Sequence, residues 1–333
     1  MQNTILVVAV SSLDFLNFSE KSRLLTRLND LERSQNGSAP RFLSEASFGQ
    51  ICLLSGRPLE RTVRISRWDG KELLRLSKKS ALVAAALGIK FVLYDDPLYP
   101  PLLREIADPP FALFYRGDIS VLLGRTVSVV GTRRLSPEGR KAARDFSYEA
   151  ASNAFCVVSG LAAGADGQAH RGALDAFFDK KSSACLTAAI LAGGVDNIYP
   201  SSHKKIAGQI IENGGCVLSE SAPGLPGEKW RFVSRNRIIA GLSPATLVVQ
   251  APPGSGALLT ADFALGYNRE IFFHQACFCK NALVLSSLVH KNLAAQKGAA
   301  ALRKIQTRPE SYIRDGAKIV GCFSDFLNLS LDK

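Results

Sequence analysis

Apolar runs and helix-like segments alternate along the middle of the chain, from about residue 125 to residue 275. The apolar runs are short and nearly continuous, which is typical of strands buried on both faces. Most are followed by a segment in which apolar residues recur every three or four positions. This alternation predicts an α/β fold of the Rossmann-like type, with a mostly parallel sheet and helices on both faces. The predicted strands are TVSVVG, CVVSG, TAAILAGG, CVLSE, ATLVVQA and EIFFH.

The chain before this region has a different pattern. Residues 13–34 and 71–88 show helical periodicity, and together they predict a small helical N-terminal domain over 1–90, of the SAM-like kind. In residues 91–124 paired prolines exclude a continuous helix, so we expect a linker that supplies a first strand or two. The Rossmann-like domain is then expected to span 125–333.

The balance of charge favours a polyanionic partner. The 333 residues include 41 Lys and Arg against 29 Asp and Glu, a formal net charge of +12 at pH 7. Nucleic acid is the first candidate and an anionic membrane surface is the second. A basic surface without such a partner is the alternative, but basic residues concentrate in and after glycine-bearing turns, which favours nucleic acid.

Other features bear on compartment and metal binding. No apolar stretch reaches the roughly 18 residues needed to cross a bilayer, and the early ILVVAV run lacks the basic flank of a signal peptide. Seven cysteines, an odd number without a CxxC pair, argue against a disulfide framework. We therefore expect a cytoplasmic protein without membrane insertion. The spacing of His274, Cys277 and Cys279 lacks a second ligand pair, so no metal is expected.

Four glycine-bearing turns follow predicted strands, at 127–139, 157–170, 189–200 and 248–262. Glycine permits sharp turns and lets a ligand approach the backbone closely. Helix N-termini attract anions, and in parallel α/β sheets ligands bind beyond the carboxyl ends of the strands. The turns together predict a crevice that holds phosphate.

None of these turns carries a nucleotide-cofactor motif. The G-x-G-x-x-G spacing with its ribose-binding acid is absent, and so is the G-x-x-x-x-G-K-[ST] loop, so we expect no cofactor. Ser159, Asp166 and His170 suggest hydrolysis at first sight, but no G-x-S-x-G elbow is present. A loop capped or braced by Asp166 and His170 is the favoured interpretation, and no catalytic residue is predicted.

Basic and hydroxyl side chains in and after the turns are the predicted phosphate ligands. Arg133 is the strongest candidate, because its guanidinium and neighbouring backbone amides can hold one phosphate together. An Arg133 that packs over the helix start and pairs with a carboxylate is the alternative. Lys204 and Lys205 oppose the dipole of the helix they begin, which an external anion would relieve unless the lysines are simply solvated. The predicted set is Gly131, Thr132, Arg133, Ser159, Gly160, Lys204, Lys205, Arg235, Asn236, Arg237, Ser255, Gly256 and Thr260.

Residues 230–241 interleave aromatic and basic side chains, a composition typical of surfaces where bases stack while arginines follow the backbone. The rival interpretation buries Phe232, Ile238 and Ile239 and leaves only the arginines exposed. Both interpretations stay open at this point.

Six ordered segments resemble the DNA-processing protein A (DprA/Smf) family of bacterial competence and recombination proteins. The resemblance covers roughly residues 110–275. It implies a Rossmann-like protein that binds single-stranded DNA, protects incoming strands and loads the RecA recombinase on them, as a homodimer without catalytic turnover. It also implies strand contact for the Gly131, Lys204/Lys205 and Arg235 segments. The segments are VVGTRRLSPEG, VVSGLAAGADGQAH, AILAGGVDNIYP, VLSESAPG, RFVSRNRIIAGLS and SGALLTADFALGYNREIFF.

The chain departs from the family in three places. The segment EIFFHQACFCK lacks the Pro-Gly that usually follows this strand in the family. A basic, helix-like stretch near 280–308 is expected to be an insertion, and no C-terminal winged helix is expected. Two other functions remain as alternatives. One is a nucleotide-binding Rossmann enzyme of the phosphoribohydrolase type, although PPGSGALLTAD lacks that signature's glutamate. The other is a scaffold that binds a signalling nucleotide, or another protein through the N-terminal domain.

Overall fold

The computed structural model describes residues 2–34, 38–58, 68–296 and 298–331. Parts of the predicted N-terminal domain, at 35–37 and 59–67, therefore lie outside the described residues, as does position 297 of the predicted insertion.

The N-terminal region is helical where it is described. The apolar run from Leu6 to Val10 lies in the first helix and is at most 1% exposed, because it packs inside the protein. A capping box between Ser47 and Gln50 starts the fourth helix. The helices are α1 (Gln2–Ser11), α2 (Phe18–Ser34), α3 (Ser38–Glu45), α4 (Phe48–Ser55) and α5 (Gly70–Ala86).

A nine-stranded sheet runs through the rest of the described chain. Its strands are β1 (Lys90–Leu93), β2 (Ala112–Gly117), β3 (Arg125–Val130), β4 (Phe155–Ser159), β5 (Thr187–Ile190), β6 (Cys216–Ser219), β7 (Ala245–Val248), β8 (Glu270–His274) and β9 (Lys318–Val320).

The sheet has the order β1-β2-β6-β5-β4-β3-β7-β8-β9. In this order, every two neighbouring strands in the run β6-β5-β4-β3-β7-β8-β9 are parallel, whereas β1 and β2 are antiparallel to their neighbours. All six strands predicted from apolar runs are confirmed, and so is the Rossmann-like fold class. The region predicted as a linker supplies β2 and almost all of β1, which extend the same sheet.

Helices cover both faces of the sheet, as the near-continuous apolar strands require. On one face α7, α8 and α16 pack against the centre of the sheet, and α1–α5 with α9 cover the β6 end. On the other face α11, α12 and α15 pack. The later helices are α6 (Pro101–Arg104), α7 (Pro137–Ser152), α8 (Ala165–Phe178), α9 (Lys204–Glu212), α10 (Lys229–Ser234), α11 (Asn236–Gly241), α12 (Gly256–Gly266), α13 (Lys280–Ala294), α14 (Ala299–Gln306), α15 (Pro309–Arg314) and α16 (Phe323–Leu331).

The strand order reverses direction at β3, which pairs with β4 on one side and β7 on the other. The connections therefore leave in opposite directions, and a crevice opens at the carboxyl ends of β3 and β7. Two glycines bring the surrounding loops together. A Cβ at Gly131 would lie 2.7 Å from Cβ of Ala165, and one at Gly164 would lie 2.3 Å from the Thr132 carbonyl oxygen.

Candidate nucleic-acid interface

A cleft of about 440 Å³ occupies this reversal point. It lies between the loop after β3, the start of α8, the α10–α11 segment and the start of α12. The structure brings together eight of the predicted site residues here. They are Gly131, Thr132, Arg133, Arg235, Asn236, Ser255, Gly256 and Thr260.

Arg235, which joins α10 to α11, is the most unusual side chain of the cleft. It is only 5% exposed, and its Nε has no hydrogen-bond partner among the described residues. Its guanidinium lies directly over Gly160, where a Cβ would be 1.5 Å from Nη1. A buried guanidinium with an unpaired N–H is costly, and an anion in the cleft would reduce that cost. Arg235 is therefore a candidate anion ligand of the cleft.

Asp166, in the first turn of α8, is the carboxylate nearest this arginine in the cleft lining. Its Oδ2 accepts a hydrogen bond from the Ala162 backbone N–H at 3.3 Å, so it braces the loop as the sequence predicts. Burial raises the pKa of Asp166, and the positive charge of Arg235 opposes that rise. Burial disfavours the charged form of both groups, so it lowers the pKa of Arg235. Asp166 forms no ion pair with Arg235 among the described residues. The Arg235 guanidinium can therefore still bind a ligand.

Arg133 and Arg134 lie exposed at the mouth of the cleft. Neither forms an ion pair with a described residue, so the alternative of a carboxylate partner for Arg133 finds no support. The Arg133 guanidinium instead stands 5.8 Å above the ring of Phe232. Phe232 in turn contacts Tyr199, with 5.7 Å between ring centroids, and Tyr199 is 60% exposed. Two cations and a pair of aromatic rings thus share one open surface.

The start of α12 forms the opposite wall. Ser255 precedes the helix, and its buried Oγ has no hydrogen-bond partner in the described chain. Asn236 Nδ2 and Thr260 Oγ1 both approach the Gly256 carbonyl at 3.4 Å. The helix N-terminus adds a partial positive charge. This wall offers a phosphate a hydroxyl and the first amides of a helix.

The loop after β3 differs from the prediction in one respect. The Thr132 backbone N–H donates to the Gln250 carbonyl at 2.7 Å, and the Thr132 carbonyl accepts from Ala165. That amide therefore joins the loop to the chain just after β7 and is not free for a phosphate. The Arg133 and Arg134 side chains are the groups of this loop that stay exposed at the cleft.

Five predicted site residues do not line the cleft. Ser159 is fully buried and its hydroxyl donates to the Val129 carbonyl at 2.6 Å, while Gly160 lies beneath Arg235. Lys204 and Lys205 are exposed at the start of α9, outside the cleft. Arg237 is held by Glu220 at 2.7 Å and is turned to the other side of the helix.

In residues 230–241 the structure contradicts the interpretation that left only the arginines exposed. The rival interpretation left them exposed and buried Phe232, Ile238 and Ile239. The two isoleucines are buried, whereas Phe232 is only partly buried. However, Arg235 is also buried, and the Arg237 side chain is only 11% exposed. The segment forms two short helices, so its arginines point inward toward carboxylates or the cleft.

The other titratable candidates have structural partners. His170 is fully buried, its Nδ1 lies 2.8 Å from Thr187 Oγ1, and burial lowers its pKa to about 3. His274 Nδ1 accepts from the Ala276 N–H, and Cys277 is buried. Within the described ranges, no group of three or more His, Cys, Asp or Glu side chains is placed to hold a metal.

Fold and site define a Rossmann-like α/β protein with an arginine-lined cleft at the reversal point of its sheet. The chain belongs to the DNA recombination-mediator protein A family, whose model matches residues 90–328. The family resemblance seen in the sequence is thereby confirmed.

The relatives include Protein Smf of Borreliella burgdorferi, 31% identical over 77% of this chain and 78% of that protein. DNA processing protein DprA of Bacillus subtilis is 37% identical over 56% of this chain and 60% of its own length. Among solved structures, DprA from Streptococcus pneumoniae matches with a TM-score of 0.66 and 26% identity, over 98% of this chain and 97% of that one.

DNA processing protein A from Helicobacter pylori, reported for its single-stranded DNA binding mode, shares the fold with a TM-score of 0.55 and 24% identity. That match covers 73% of this chain and 96% of the other.

Among the described helices, none is both long and apolar enough to span a membrane.

Proposed function

We propose that this protein binds single-stranded DNA in the cleft and acts, without catalytic turnover, as a recombination mediator. The observation that carries the proposal is Arg235, a nearly buried guanidinium whose Nε has no partner in the described chain. A phosphate between Arg235, Arg133 and the start of α12 would supply the missing charge and hydrogen-bond acceptors.

A strand leaving this cleft has a surface to follow. Phe232 and Tyr199 present ring faces or edges next to Arg133, which suits bases that stack while arginines hold phosphates. Lys204 and Lys205 begin the helix that follows Tyr199, and neither forms an ion pair with a described residue. We include both lysines in the proposal as contacts for phosphates outside the cleft.

The role of mediator adds two partners to the proposal. The family's name, a recombination mediator, supports a role in which the protein protects incoming DNA in the cytoplasm and loads the RecA recombinase on the bound strand. A homodimer would hold two clefts on one strand. Co-purification with RecA and the mass of the protein in solution test these two partners separately from DNA binding.

The direct test is binding of a labelled single-stranded oligonucleotide by wild type and by Arg133→Glu. We expect the charge reversal to weaken binding by at least about tenfold, since one charge-assisted contact is worth about 1.5–3 kcal/mol. Arg27→Glu is the matched control, because Arg27 is exposed on α2 and does not line the cleft. Equal binding by both variants and wild type would overturn the proposed site.

The enzyme alternative has its own readout. A phosphoribohydrolase would release free base from nucleoside monophosphates, which chromatography of the reaction mixture detects. Base release that Arg133→Glu abolishes would replace the proposal of a mediator without turnover.

A further inference from the structure

We propose that α13 adds a pocket for one nucleobase to the cleft, so that the protein holds a base of the strand as well as its phosphates. This inference rests on the proposed function, because its occupant is a base of the strand bound in the cleft.

A second cavity of about 270 Å³ adjoins the cleft on the side of α13. Thr132 and Arg134 line both cavities, so a ligand that reaches these two residues in the cleft is already at the entrance to the pocket. The volume is slightly below the range of about 300–1,000 Å³ usual for drug-sized ligands. The pocket therefore suits a single flat ring system next to a phosphate.

The walls have the chemistry of a base-binding site. Apolar groups form most of the lining, and two short polar side chains complete it. In the described chain neither polar side chain has a hydrogen-bond partner, so both can bond to the edge of a base. The apolar residues are Ala251, Pro252, Leu285 and Val289, and the polar ones are Ser286 and Asn292.

The position of Leu288 also favours an apolar ligand. It lines the pocket and yet is 54% exposed, so part of its apolar surface is open to solvent. Gln250, at the base of the pocket, is not available to a ligand, because its amide bonds to Ser136 and to the Ala276 carbonyl. The Gln250 side of the pocket is therefore fixed by hydrogen bonds.

The helices of the 280–308 segment are joined to the phosphate-binding loop. The Gly254 N–H donates to the Thr307 carbonyl at 2.9 Å, just after α14. The Lys304 side chain packs over Gly254, with Cβ 2.7 Å from where a glycine Cβ would be. This segment therefore sits in a fixed place beside the loop that begins α12, and its pocket is part of the same site.

The test compares two oligonucleotides of equal length and charge, one of thymidine and one with abasic sugars throughout. Val289→Trp fills the pocket, and Val284→Trp is the matched control, since Val284 is 53% exposed on α13 and does not line the pocket. We expect Val289→Trp to lose about tenfold in affinity for the thymidine strand, as for one lost base contact, and nothing for the abasic strand.

A Val289→Trp protein that binds both strands as wild type does, or weakens both equally, would overturn the pocket. Failure of wild type to bind either strand would instead overturn the proposed function. If Val289→Trp does not fold, photocrosslinking of wild type to a 5-iodouracil strand decides the matter. A crosslink within residues 280–294 supports the pocket, and crosslinks confined to Phe232 and Tyr199 contradict it.

Discussion

The substitution Gly160→Ala should displace the Arg235 guanidinium from its place in the cleft and leave the net charge of the protein unchanged. The new methyl carbon would lie 1.5 Å from Arg235 Nη1, 2.5 Å from its Cζ and 2.7 Å from Asp166 Oδ2. Distances this short cannot be accommodated, so the guanidinium must leave the surface of Gly160. We expect it to swing away from the cleft floor.

The substitution should affect binding more than folding. The colliding atoms are the ends of side chains that can rotate, so we expect a loss of about 0.5–1.5 kcal/mol in the free energy of unfolding. Displacing Arg235 removes a charge-assisted hydrogen bond to phosphate, worth about 1.5–3 kcal/mol. The affinity for single-stranded DNA should therefore fall by roughly 10- to 150-fold.

Fluorescence anisotropy with a labelled single-stranded oligonucleotide measures the affinity, and urea unfolding measures the stability. Gly124→Ala is the matched control, because a Cβ at that position would meet no atom within 4 Å. A Gly160→Ala protein that is folded and binds DNA as tightly as the control would refute the role assigned to Arg235.

Three further predictions concern the framework of the site. Arg237→Ala should cost about 3 kcal/mol of stability, because it leaves the partly buried Glu220 without its ion pair, and the folded variant should bind DNA normally. Burial lowers the pKa of His170 from 6.5 to about 3. Below pH 6.5 the unfolded chain therefore binds a proton that the folded protein does not, and the free energy of unfolding falls. Wild type should lose about 2 kcal/mol of stability between pH 7 and pH 5 through this group, and His170→Gln should not. Gly164→Ala should destabilise by more than about 2 kcal/mol beyond Gly224→Ala, since both have φ near +85° to +88° but only Gly164 faces backbone atoms.

Each of these has a contradicting outcome. Loss of DNA affinity by folded Arg237→Ala would place that arginine on the strand, as the sequence predicted. Identical pH profiles of urea unfolding for wild type and His170→Gln would mean that His170 is protonated in the folded protein. Equal melting temperatures for Gly164→Ala and Gly224→Ala would mean that the loop after β3 yields readily.

The strands of the sheet could be predicted because each is an apolar run closed by glycine or a polar turn, as in VSVVG at 127–131. The order of the strands could not, since it depends on which runs pair. The sequence also predicts that the glycine-bearing turns after β3, β4, β5 and β7 meet in one phosphate-binding crevice, because parallel strands present their carboxyl ends at one edge. The structure places residues of the turns after β3, β4 and β7 in one cleft, and binding of phosphate there stays a prediction.

The environment of the arginines could not be predicted. Arg235 and Arg237 lie two positions apart in a basic segment, and composition alone treats them alike. Arg237 pairs with Glu220 and with Asp108, which is 129 positions away in the chain, so its role depends on tertiary contacts. The Arg235 guanidinium instead lies directly over Gly160, 75 positions earlier in the chain. The contribution of α13 is likewise visible only once the helix is seen beside Thr132 and Arg134.

The salt dependence of single-stranded DNA binding tests the central claim most directly. With Arg133, Arg134 and Arg235 each neutralising a phosphate, the logarithm of the affinity should fall with the logarithm of salt concentration with a slope of at least about 2. Arg133→Ala should reduce that slope by about 0.7, and Arg27→Ala should leave it unchanged. A wild-type slope near zero, or the same slope in Arg133→Ala as in wild type, would contradict a phosphate-binding cleft.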